Sequence, residues 1–164
     1  MKKTALAALT LLLTVGAARA LDVPNMKEGL WKLHMVSNSP GSQPSETNYS
    51  ICRDHAYDQL VHELAMKQPG CAIAEGSATG NKRSFTGTCK VGDTTIKSVS
   101  TVTYSGDTSF HSETSTTYSP ALYGKTQETT VQDQNYVGAC PAGMNPGDIM
   151  SADGQIRHRG VAHP

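Results

Sequence analysis

Aromatic residues are scarce in this 164-residue chain, which has one Trp, two Phe and six Tyr. Net charge is absent as well, since Lys+Arg 14 balances Asp+Glu 14. Nucleic-acid binding calls for a basic patch or stripe and a high pI, so the composition offers no footprint for that partner. No two of the four cysteines are spaced as C-x-x-C, which argues against a thioredoxin-like redox motif and a zinc ribbon. The G-x-S-x-G elbow of the α/β hydrolases is missing too.

Long apolar runs are missing with one exception, and its position defines it. Lys2 and Lys3 precede an apolar stretch from Ala5 to Val15, and Ala18-Arg19-Ala20 places small residues before Leu21. That is the pattern of a cleavable export signal over residues 1–20. The run is shorter than the roughly 20 apolar residues of a spanning helix. No Cys lies near the cut, which argues against a lipid-modified N-terminus. Losing Lys2, Lys3 and Arg19 with no acidic residue leaves a mature charge of about −3. The expected product is an exported, periplasmic protein without a membrane span.

The length suits one domain, expected over residues 21–150. Residues 141–164 hold three Pro and four Gly without periodicity, so 151–164 reads as a flexible tail. After residue 20, Leu, Ile, Val and Phe total 22, whereas Ser and Thr total 30. Such a chain builds polar strands around a thin core and needs a second source of stability.

Disulfides supply it, because Cys52, Cys71, Cys89 and Cys140 all fall in the exported part. Four cysteines allow three pairings. The stretch Ser77 to Lys82 reads as a hairpin loop centred near Gly80, which sets Cys71 opposite Cys89. The expected bridges are therefore Cys71–Cys89 and Cys52–Cys140.

Period-two alternation predicts strands at Leu30–Val36 and Thr47–Cys52. Between Arg53 and Met66 the period changes: Tyr57, Leu60, Val61 and Leu64 form the stripe of an amphipathic helix that Pro69-Gly70 ends. Further strands follow at Cys71–Glu75, Ser84–Val91, Thr94–Tyr104, Ser109–Tyr118 and Lys125–Val137. Gly92-Asp93 and Gly106-Asp107 read as two-residue turns of type II′. The second turn sets Thr103 opposite Phe110, leaving apolar residues on both faces unless a bulge intervenes. Segments such as Ser112 to Thr117 make polar walls, ill suited to an apolar cavity. The predicted fold class is mainly β (α+β): a curved antiparallel meander with one amphipathic helix, stapled by disulfides.

Several local motifs recur together. They are Pro24-Asn25-Met26-Lys27-Glu28-Gly29-Leu30-Trp31, a Cys on each side of the helix, a third Cys in a strand, Tyr104 to Phe110, and Val137-Gly138-Ala139-Cys140. With the export signal they resemble the exported bacterial domain-of-unknown-function family numbered 3617, over about residues 24–150. The resemblance implies a periplasmic, disulfide-bearing, β-rich domain, and it carries over no catalytic residues.

Candidate chemistry is sparse. His62-Glu63 begins an H-E-x-x-H pattern, but Met66 stands where the second imidazole is needed. His55, Asp58 and His62 share a helix face away from the Leu60/Leu64 stripe and could hold zinc or copper, although a solvated polar face looks the same. Met144, Met150, His158 and His163 are a looser copper set. His111 beside Glu113 is a weak hydrolase candidate, and Trp31 reads as a core anchor rather than a binding platform. The leading expectation is a non-catalytic module of the cell envelope, without a cofactor, that binds an envelope protein or a small ligand. Periplasmic metal binding is the alternative, and a hydrolase follows behind it. Intact-mass measurement of the exported protein is expected to give a chain starting at Leu21 that lacks the hydrogens of two disulfides.

Overall fold

The structure is a computed structural model that describes residues 24–159. The expected export signal over residues 1–20 lies outside the described residues, as does His163. Among the described residues nine strands and one helix follow each other as β1 (Gly29–Asn38), β2 (Ser45–Arg53), α1 (His55–Met66), β3 (Cys71–Thr79), β4 (Lys82–Val91), β5 (Thr94–Ser105), β6 (Ser109–Leu122), β7 (Lys125–Gly138), β8 (Ile149–Ser151) and β9 (Ile156–Arg157). All strands join one antiparallel sheet in the order β3-β4-β5-β6-β7-β1-β2-β8-β9. The five-strand run β3 to β7 is the predicted meander. The first hairpin, β1–β2, then adds to the β7 edge.

Strands six places apart in a flat sheet would lie about 29 Å from each other at roughly 4.8 Å spacing. Yet α1, which leaves the end of β2, reaches β3 through His62 Nε2 and Glu75 Oε1 at 3.6 Å. Arg53 at the end of β2 likewise lies over the ring of Phe110 on β6. The sheet is therefore curled, and α1 spans the space between its two sides. Asp54 starts the helix as its N-cap, with extended backbone and a side chain that accepts from Tyr57 N at 2.7 Å. The helix accordingly begins at His55, two residues after the expected start. Lys67 caps the other end.

Register explains where the core sits. Gly92-Asp93 is the expected two-residue turn, with Val91 paired to Thr94 and Gly92 at φ +56. The β5–β6 connection differs, because Gly106, Asp107 and Thr108 form a three-residue loop and Tyr104 faces Phe110. Long-range bonds hold that longer loop: Lys27 N donates to the Asp107 carbonyl and Tyr136 N to that of Thr108. One extra loop residue restores the alternation without a bulge in this ladder. Val102, Tyr104 and Phe110 now share the inner face, packed against Met26, Trp31 and Ile51.

Both expected pairs are bonded in the structure, Cys71 to Cys89 and Cys52 to Cys140. The route to the first register is less direct than a loop centred on Gly80. The turn is only Gly80-Asn81, with Thr79 opposite Lys82, and an irregularity between Glu75 and Ala78 shifts the pairing so that Cys71 meets Cys89. The β8–β9 hairpin, residues 149–157, takes in the first residues of the expected tail. Buried Asp148 holds its end by accepting from His158 Nδ1 at 2.8 Å and from Arg159 N at 3.1 Å.

Gly29 and Gly138 show why the first and last motifs belong together. Leu30 pairs with Gly138, and a Cβ on Gly29 would stand 2.3 Å from the Gly138 carbonyl oxygen and 2.8 Å from the Tyr136 ring. Gly29 also has φ +141, a conformation that side chains disfavour. Gly29→Ala is expected to cost about 3 kcal/mol through strain and overlap. Gly41→Ala, at a site with φ +77 but no neighbour within 4 Å, is expected to cost only about 1–2 kcal/mol. Urea denaturation of the two variants checks the contrast.

Candidate functional site

Alternation along β1, β2, β5, β6 and β7 turns Leu33, Ile51, Tyr104, Phe110 and Gln134 toward the helix. Between them and α1 lies a cleft of about 640 Å³. Tyr57 and Val61 line it from the helix, and Pro24 to Met26 border it on the N-terminal side. The apolar stripe of the helix is only partly covered by the sheet. No helix residue is buried, and Val61 and Leu64 are each 43% exposed. The polar β5 and β6 positions do not spoil the cleft, since Ser100 and Thr114 hydrogen bond to each other at 2.7 Å and do not line it. Its apolar lining comes from the Trp31 end of the sheet instead.

Arg53 forms the polar corner. Its Nε and Nη2 donate to the two oxygens of Asp58 at 2.8 and 3.0 Å, and Nη1 donates to Gln134 Oε1 at 2.7 Å. The guanidinium lies 5.0 Å from the ring centroid of Trp31 and 5.7 Å from that of Phe110, close enough for cation–π attraction. Trp31 beneath it is 0% exposed, and its Nε1 donates to the Lys27 carbonyl at 2.8 Å. Trp31 is thus a core anchor, as its place in β1 suggested. Burial pushes the hydroxyls of Tyr57 and Tyr104 above the usual 10.0, so both remain neutral near pH 7.

His55, Asp58 and His62 all line the cleft, but each is engaged separately. Asp58 is held by Arg53. His55 lies 3.1 Å from Glu28 Oε1 through Nδ1 and 2.9 Å from the Met26 carbonyl through Nε2. His62 pairs with Glu75. Among the described residues no group of three His, Cys, Asp or Glu side chains could hold a metal ion. Of the looser Met/His set, Met144 is buried and His158 pairs with Asp148.

His111 and Glu113 stand on the opposite, outer face. Asp133 on β7 is the cross-strand neighbour of His111 on β6 and of His34 on β1. His111 Nδ1 lies 2.8 Å from Asp133 Oδ1 and Nε2 lies 3.4 Å from Glu113 Oε1. Both ring nitrogens of His111 thus face carboxylates.

A family model described as "Protein of unknown function (DUF3617)" matches residues 26–140. The chain belongs to that family. Its matched span begins at Met26 beside the cleft and ends at Cys140, which is bonded to Cys52. No curated protein matches the sequence. A solved structure of the S-type phycobiliprotein lyase CPES from Guillardia theta is similar at 9% identity, with a TM-score of 0.37 over 68% of this chain and 89% of that one. The likeness is loose.

Sequence reasoning missed Arg53, Gln132 and Gln134. The glutamines carried a usable signal, because they stand two apart in a strand and so share a face. Arg53 carried a fainter one, as the last residue of β2 immediately before the Asp54 cap.

Hydrogen bonding to Asp133, and secondarily to Glu113, holds the His111 pKa above its ordinary 6.5, against a lowering by desolvation. A raised folded value means a stabilising contribution fully present below the unfolded pKa of about 6.5 and lost as pH rises through the folded one. NMR titration is expected to place His111 above 6.5, and Asp133→Asn to bring it back toward that value.

Proposed function

We propose that the chain is a non-catalytic binding protein of the cell envelope, exported to the periplasm, that takes a small molecule into the cleft between α1 and the sheet. One observation carries the reading. Apolar side chains from four strands and a helix converge on a 640 Å³ space whose surface is mainly apolar, with its polar groups set along the helix and at the Arg53–Gln134 corner. That is the build of a small-molecule site, which is typically about 300–1,000 Å³ and mostly apolar with a few placed polar groups.

The non-catalytic part of the reading rests on the engagement of the lining groups. A general base or nucleophile has to present a lone pair to substrate. Asp58 accepts two bonds from Arg53, and the two cleft histidines face Glu28, the Met26 carbonyl and Glu75. Export accords with the two disulfides, which persist in an oxidising compartment. No helix among the described residues is long and apolar enough to cross a membrane.

Native mass spectrometry of the full chain purified gently from its exporting host tests this. The expected spectrum exceeds the polypeptide mass by one small organic molecule, released on denaturation. A bare polypeptide mass, or turnover of generic ester or peptide substrates abolished by a His55 or His62 replacement, would overturn it.

A further inference from the structure

We infer that the cleft selects an uncharged amphipathic molecule, with an apolar body and a hydrogen-bonding head directed at the Arg53–Gln134 corner. The inference rests on the reading of the cleft as a binding site and adds the chemical class of its occupant.

Charge compensation is the ground for it. Apart from tyrosines, the ionisable side chains that line the cleft are Arg53, Asp58, His55 and His62. Arg53 and Asp58 neutralise each other through a two-pronged pair, with both carboxylate oxygens used. His55 faces Glu28 and His62 faces Glu75. A ligand carboxylate or phosphate at the guanidinium would stand beside the Asp58 carboxylate that already balances that charge. A ligand ammonium at Asp58 would likewise stand beside the Arg53 guanidinium. Either ligand brings a charge into a half-buried site whose counter-charge is already engaged, which disfavours its binding. A neutral molecule meets no such penalty.

The polar groups left for recognition are dipolar. Gln132 and Gln134 present carboxamides, which both donate and accept, and Gln134 is already oriented by the bond from Arg53 Nη1. Such groups suit a carbonyl, hydroxyl or amide head. The body of the ligand would lie along Leu33, Ile51 and Phe110 and cover Val61, which is otherwise 43% exposed. Removing that apolar surface from water is the driving force.

Trp31 is the chain's only tryptophan and sits directly under Arg53, which lines the cleft, so energy transfer from it reports occupancy. Two probes of nearly the same aromatic body separate the possibilities: neutral N-phenyl-1-naphthylamine and anionic 8-anilino-1-naphthalenesulfonate. Energy transfer from Trp31 is expected to show the neutral probe binding at least about tenfold tighter, a difference of roughly 1.4 kcal/mol. Asp58→Asn, which leaves the guanidinium uncompensated, is expected to tighten the anionic probe and close that gap. Val61→Glu alters an exposed helix position, leaves the fold in place and is expected to weaken the neutral probe. Equal binding of the two probes to the unaltered chain, with Val61→Glu weakening both, would overturn the neutral class and leave the cleft as a site. Binding of neither probe, or binding indifferent to Val61→Glu, would overturn the cleft itself. Should Asp58→Asn fail to fold by circular dichroism, the probe ratio on the unaltered chain and the Val61→Glu result still decide.

Discussion

The stacking of Arg53 on Trp31 ties together parts of the chain that otherwise have little to hold them. The indole is fully buried, and one guanidinium covers it while bonding to α1 through Asp58 and to β7 through Gln134. The same group lies over Phe110 on β6. A planar cation can do this because its faces stack while its edge donates five N–H groups in fixed directions. Lysine, with a compact ammonium, could satisfy one of these demands at a time. The curl of the sheet, the placement of the helix and the polar corner of the cleft all meet at this side chain.

Around that point the thin core is reinforced covalently. Cys52–Cys140 closes a loop with a sequence separation of 88, next to the contact of Gly29 with Gly138. Cys71–Cys89 closes one of 18 on the far edge of the sheet. In the chain-entropy model these remove roughly 4–5 and 3 kcal/mol of unfolded-state freedom. Buried apolar side chains are few, and they collect at one end of the sheet, around Met26, Trp31, Ile51 and Tyr104. The stability of that end allows the space under the helix to stay open.

Much of the fold was legible because turns, glycines and alternation are local signals. The helix, the meander and the hairpin across Gly80 all follow from them. The Gly106 turn was misread by one residue because the bonds that lengthen it come from Lys27 and Tyr136, remote in sequence. The disulfide register survived an inexact turn because the irregularity after Glu75 offsets it. The tail hairpin depends on Asp148 and His158, ten residues apart and without any pattern between them. For the site, helical spacing located His55, Asp58 and His62 on one side of α1, and all three do line the cleft. Their chemistry was not legible, because Arg53, Glu28 and Glu75 engage them from other elements.

Both ends of α1 are moored, whereas its middle is not. At one end Asp54 caps the helix and Arg53 grips Asp58; at the other, Lys90 N donates to the Gly70 carbonyl and Cys71 N to that of Gln68. Between these moorings the links to the sheet are side-chain ones, such as His62 to Glu75, and no ladder hydrogen bond runs through the helix. Lifting the helix midsection therefore breaks nothing in the sheet. A local opening of the helix is thereby uncoupled from the lifetime of the fold, which the ladder and the two covalent bridges set.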